Sequence, residues 1–108
     1  MTKIRMDWKN LKLELDGHAG SAPYGRDLVC CAISTLSQTL IYALEDLQKN
    51  EKTDVDWTGN QKQGYMLIEA DPRRNHEAEV QHYFRFAVEG LRMLAEEYPQ
   101  NVEVREDL

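Results

Sequence analysis

With 108 residues, of which 42% are hydrophobic and 30% charged, the chain suits one modest globular domain spanning residues 1–108. A formal net charge of −6 argues against direct nucleic-acid binding, because a phosphate backbone needs a cationic footprint. The two adjacent cysteines make no disulfide framework, no apolar run suits a signal peptide, and no window approaches the roughly 20 apolar residues of a membrane span, so a cytoplasmic chain with reduced thiols is expected.

Ile4, Met6 and Trp8 alternate with Arg5 and Asp7, the period of a half-buried strand. After a turn at Lys9-Asn10, Leu11, Leu13 and Leu15 alternate with Lys12 and Glu14, completing a hairpin with one apolar face. A glycine-containing loop follows. Asp27 reads as an N-cap, and apolar residues at 29, 33, 36, 40, 44 and 47 predict a well-buried helix over 28–48. Val55 and Trp57 mark a third strand, Thr58 to Gly64 a polar turn, and Tyr65 to Ala70 a fourth strand ended by Pro72. A second helix begins near Asn75, carries a stripe from Val80 to Tyr98 and stops at Pro99; Val102-Val104 is a last strand. The predicted fold is α+β, a mainly antiparallel sheet packed with two helices in the order β-β-α-β-β-α-β.

Chemistry concentrates in LDGHAGSAPYGRDLVCCAIS, residues 15–34. With Asp27 as N-cap, Cys30 occupies the third helical position, where unpaired N–H groups carry partial positive charge and favour a thiolate. His18, twelve residues earlier, is a base for that thiol and an acid for a leaving amine, and the helix-start N–H groups suit a developing oxyanion. Gly17 and Gly20 permit sharp turns around His18-Ala19, and Ser21 to Arg26, with Gly25, suits a mobile lid. Ser34 lies one helical turn beyond Cys30, placed to bond near the sulfur or to a helix carbonyl. Asp16 and Asp27 are both near His18 in sequence, and spacing does not choose between them as its orienting group.

Plainer readings compete. A cysteine at a helix start is commonly a small buried hydrophobe, a lone histidine after a strand is commonly a loop residue, and Asp27 fully accounts for itself as a cap. No metal site is expected, because Cys30-Cys31 with His18 lacks the spacing of zinc ligands. His76 and His82 read as surface residues, and Trp8, Trp57 and the methionines as core or edge packing.

The run DGHAG…GRDLVCCAIS resembles the signature of the ribosomal-processing cysteine protease family, Prp. The residues that carry the resemblance are Gly17, His18, Ala19, Gly25, Asp27, Leu28, Val29, Cys30, Ala32, Ile33 and Ser34. Glu97-Tyr98-Pro99 followed by Val102-Glu103-Val104 is similar to the family's C-terminal end. The resemblance implies a cytosolic, homodimeric peptidase without cofactor. It would act on a protein substrate, removing a short N-terminal extension from a bacterial large-subunit ribosomal protein, or acting on a phage capsid or scaffold protein. It makes Cys30 the nucleophile and His18 its partner, gives Gly17, Asp27 and Ser34 supporting places, and makes Gly20 to Arg26 a loop covering the site. Cys31 departs from the small residue usual there, and residues 45–79 carry no family-specific motif. The competing function is a catalytically silent binding module that grips a ribosomal or capsid segment; the presence of both His18 and Cys30 argues against it.

Overall fold

The computed structural model describes residues 1–23 and 26–108. In chain order the elements are β1 (Thr2–Asp7), β2 (Lys12–Asp16), α1 (Leu28–Lys49), β3 (Thr53–Asn60), β4 (Tyr65–Pro72), α2 (Glu77–Glu97) and β5 (Val102–Asp107). The α+β order expected from the sequence is borne out. The strands form one sheet ordered β3-β4-β2-β1-β5. The β1–β2, β2–β4 and β3–β4 pairings are antiparallel, and β1–β5 is parallel.

The period-2 pattern decides which face of the sheet is dry. Thr2, Ile4 and Met6 of β1 and Leu13 and Leu15 of β2 are buried, while Lys3, Arg5 and Lys12 face water. Ile68 and Ala70 continue the apolar face onto β4 through the registers Leu13↔Ile68 and Val55↔Ala70. Both helices contribute to the core against it: Val29, Ile33, Leu40, Ile41, Leu44 and Leu47 from α1, and Val80, Phe84, Ala87, Val88 and Leu91 from α2. That repeat of three and four residues is what places each helix's apolar stripe inward.

Three differences from the sequence reading bear on the site. First, β3 runs on to Asn60, so the polar stretch after Trp57 is strand before it is turn. The pairs Thr58↔Leu67, Gly59↔Met66 and Asn60↔Tyr65 hold it, which shows ladder bonds overriding weak strand propensity. Second, α1 is long and apolar enough, by length and composition, to cross a membrane, contrary to expectation; its side chains from Val29 to Leu47 on one face lie in the core shared with α2, while Leu28 and Tyr42 are exposed. Third, Trp57, Met1 and Met93 are 45%, 47% and 63% exposed instead of packed, although Met6 is core and Trp8 and Met66 pack at its margin.

Candidate active site

The site lies where β2 ends, α1 begins and the β3–β4 turn folds over both. Gly17 leaves β2 with φ +95°, and a Cβ there would stand 2.5 Å from the Met1 carbonyl oxygen, so only glycine fits. Thr2 Oγ1 donates to the Gly17 carbonyl (2.8 Å), and the Gly17 N–H donates to the Gly64 carbonyl (2.9 Å). The chain is thereby held on both sides immediately before His18.

The imidazole is exposed, with Nε2 3.0 Å from the Lys62 carbonyl oxygen. A carbonyl only accepts, so this bond requires the proton on Nε2, and the neutral ring then carries its lone pair on Nδ1. This bond of the ring is to a backbone carbonyl. Asp27 is engaged elsewhere, and Asp16 is an exposed end of β2. Gly64 (φ +64°) packs close to the ring: a Cβ there would lie 3.1 Å from His18 Cε1 and 3.0 Å from the Gly17 carbonyl carbon.

Ala19, 1% exposed, joins the imidazole segment to the thiol. Its N–H donates to Cys30 Sγ (3.1 Å), and its carbonyl accepts from Asn101 Nδ2 (3.0 Å). The sulfur is half-buried in the first turn of α1, with an amide N–H of the histidine loop aimed at it.

Asp27 is buried and in extended conformation (φ −87°, ψ 103°) as the N-cap. Its carboxylate accepts from the Cys30 N–H (2.9 Å), the Ser21 N–H (2.9 Å) and the Ser21 hydroxyl. Burial pushes this carboxyl up, but the bonds from the Ser21 hydroxyl, the Cys30 N–H and the Ser21 and Ala22 N–H groups outweigh it and hold it well below the ordinary carboxylate range. One carboxylate thus fastens the start of α1 to the loop after His18. The Cys31 N–H is also taken, by the Asp27 carbonyl (3.0 Å). The Cys30 N–H is thus held by the Asp27 side chain and the Cys31 N–H by the Asp27 carbonyl, so these two helix-start groups are engaged within the helix start itself.

His18, Cys30, Ser34 and Gly17 all line one cleft of about 540 Å³ between α1 and the β3–β4 hairpin. Ser34 is exposed on its wall, one turn beyond Cys30. Gly20 (φ +72°) makes the turn into the loop. Gly25 lies outside the described residues, as does the middle of the expected lid; at its ends the loop is tied by Ser21 to Asp27 and by the Arg26 N–H to the Pro23 carbonyl (3.0 Å). The cleft continues past Gln38, Ile41, Tyr42 and Glu45 on α1, facing Trp57, Met66 and Tyr65. The Tyr65 hydroxyl donates to Glu14 (2.8 Å), and that bond, followed by burial, raises the phenol above its ordinary value. Among the described residues no cluster of His, Cys, Asp and Glu could hold a metal ion.

Sequence reasoning missed Lys62, Gly64, Thr2 and Asn101. Gly64 ends the polar run QKQG and carries a turn signal, but nothing local ties it to His18. Lys62 acts through its carbonyl and Asn101 through a bond spanning 82 residues, so neither leaves a sequence signature.

A thiol at a helix start, bonded to the segment that carries an imidazole and opening with it on one cleft, is the arrangement of a cysteine protease. The chain belongs to the family described as cysteine protease Prp, whose model matches residues 1–103. Among solved structures it is similar to an essential ribosomal processing protease Prp from S. aureus in complex with a covalently linked product peptide. That likeness has 22% identity and a TM-score of 0.84, covering 99% of this chain and 100% of the other. It is also similar to SMU.848 from Streptococcus mutans, at 31% identity and a TM-score of 0.72, covering 97% and 90%. A further likeness is to the S. aureus protease in complex with a substrate peptide, with 19% identity and a TM-score of 0.71, covering 98% and 97%. No curated protein matches the chain.

Proposed function

We propose that the protein is an endopeptidase in which Cys30 is the nucleophile and His18 the proton carrier. The observation that carries this reading is the 3.1 Å bond from the Ala19 N–H to Cys30 Sγ, which ties the residue after the imidazole to the sulfur. His18 Nδ1 removes the thiol proton, sulfur attacks the scissile carbonyl, and the imidazolium protonates the departing amine. The resulting thioester is hydrolysed by a water that neutral His18 deprotonates. The Lys62 carbonyl orients the ring, and the Ala19 N–H complements negative charge developing at the sulfur end of the cleft. Gly17, Gly20, Asp27 and Ser34 support the site by shaping the histidine loop, capping the helix and lining the cleft.

The substrate we infer is the N-terminal extension of a large-subunit ribosomal protein, by likeness to the S. aureus ribosomal processing protease. A phage capsid or scaffold protein is the other candidate. The family likeness also supports a cytoplasmic homodimer; equilibrium sedimentation at micromolar concentration should then return twice the 12.6 kDa chain mass.

The decisive test is incubation with ribosomal and capsid precursors, followed by N-terminal sequencing of the products. Cys30→Ala should lower cleavage by at least about a thousandfold. Cys31→Ala should largely preserve it, since Cys31 is exposed and does not line the cleft. Equal cleavage by wild type and Cys30→Ala would falsify the assignment.

A further inference from the structure

The cleft extends far beyond the thiol. Cys30, Gln38, Ile41 and Glu45 line it from α1 at spacings that keep them on one stripe of that helix. Glu45 is the one carboxylate on its wall among the described residues, and no Lys or Arg joins it. It is half-buried, and among the described residues no hydrogen bond or ion pair engages it. Beside it Tyr42 is 72% exposed and across the cleft Trp57 is 45% exposed, large aromatic surfaces left open to solvent.

A carboxylate that no protein cation engages, set on the wall of a cleft, is open to a cationic group of a bound peptide. Aromatic faces add to the attraction for a cation. We propose that Glu45 is a specificity residue, which selects a peptide carrying a cationic group at the far end of the cleft from Cys30. The fifteen residues from Cys30 to Glu45 correspond to about 22 Å along a helix axis at a rise of about 1.5 Å per residue. An extended peptide covers that span in about seven residues. The selected group is therefore a Lys or Arg side chain, or the peptide's own terminal ammonium, about six or seven residues from the bond that is cut. This inference rests on the peptidase reading and adds to it a charge requirement remote from the reacting atoms.

The test uses dodecapeptide pools in which one position at a time is fixed as Lys, Arg, Gln or Glu, each made with free and with acetylated N-termini. Wild type should cut the best Lys or Arg pool, or the free-amine pools, about fivefold faster than the matching Gln or acetylated pools. A side-chain cation survives acetylation and a terminal ammonium does not, so the two sources separate. Glu45→Gln should erase the preference and Glu45→Lys should turn it toward Glu pools. Equal rates over Lys and Gln pools and over free and acetylated pools, or a preference that persists in Glu45→Gln, overturns the proposal. Binding of the same pools to Cys30→Ala, read by mass spectrometry of retained peptides, keeps the two readings apart. Cation-enriched retention without cleavage by wild type would remove the peptidase reading and leave the site; cleavage without charge preference would do the reverse.

Discussion

The geometry around His18 is decided by atoms that carry no chemistry of their own. Two glycines with positive φ, Gly17 and Gly64, stand on either side of it, and their backbones touch through the Gly17 N–H to Gly64 carbonyl bond. A methyl group on Gly64 would meet the Gly17 carbonyl carbon at 3.0 Å and His18 Cε1 at 3.1 Å. The first contact is backbone and cannot rotate away, so the β3–β4 turn or the histidine loop must move. An Ala at φ +64° also costs about 1 kcal/mol by itself. Gly64→Ala is therefore expected to lower kcat/KM by about ten- to a hundredfold, because ring placement to within about 1 Å governs proton transfer. The global loss should stay within about 2 kcal/mol in urea titration. Activity that survives unchanged would mean that the Lys62 carbonyl and the turn do not orient the imidazole.

At the scale of elements, the start of α1 is both the end of a loop and the seat of the proposed nucleophile, and Asp27 links the two roles. Its cap was legible in the sequence because Asp before an apolar helical repeat is a local signal. The order of strands and helices was legible for the same reason: each element carries its own period of two or of three and four. What was not legible is the second use of the carboxylate, its two bonds to Ser21, because a turn partner six residues upstream has no periodicity. The depressed titration of Asp27 has a definite consequence. An unfolded Asp titrates near about 3.9, and the native one below that, so the stabilisation is full above that value and is lost as pH falls toward the native one. Wild-type urea midpoints should fall steadily from about pH 5 to about pH 2, whereas Asp27→Asn should give a flatter profile. At pH 7 the variant should be less stable by about 1 kcal/mol, because Asn offers one acceptor oxygen where both carboxylate oxygens accept bonds. Parallel profiles for the two proteins would show that this carboxylate is not a source of the acid sensitivity.

Over the whole molecule, both ends of the chain converge on the histidine loop. Thr2, at the start of β1, holds the Gly17 carbonyl; Asn101, just before β5, holds the Ala19 carbonyl; and the Thr2 N–H donates to the Asn101 carbonyl (2.9 Å). The parallel pairing of β1 with β5, register Thr2↔Val102, brings these two positions together. Parallel partners need a long crossover, so no local pattern reveals which residue of a distant segment reaches the site. That is why Asn101 escaped a sequence reading that found His18 and Cys30. In the proposed mechanism its bond to Ala19 bears on catalysis, since the N–H of the same residue is the donor to Cys30 Sγ. Replacing Asn101 by Ala leaves the carbonyl of a buried residue without its partner, a cost of about 1 kcal/mol. Ala19 is then free to shift, and both the imidazole that precedes it and its N–H on the sulfur shift with it. Asn101→Ala should lower kcat by about tenfold or more with little change in KM, because Asn101 does not line the cleft. Asn101→Asp should be at least as damaging, since it sets an acceptor against the Ala19 carbonyl. Asn101→Ser should recover part of kcat by restoring a donor. A merely structural asparagine would lower the melting temperature in all three variants and leave kcat of the folded protein unchanged, and that outcome would dissociate β5 from the chemistry.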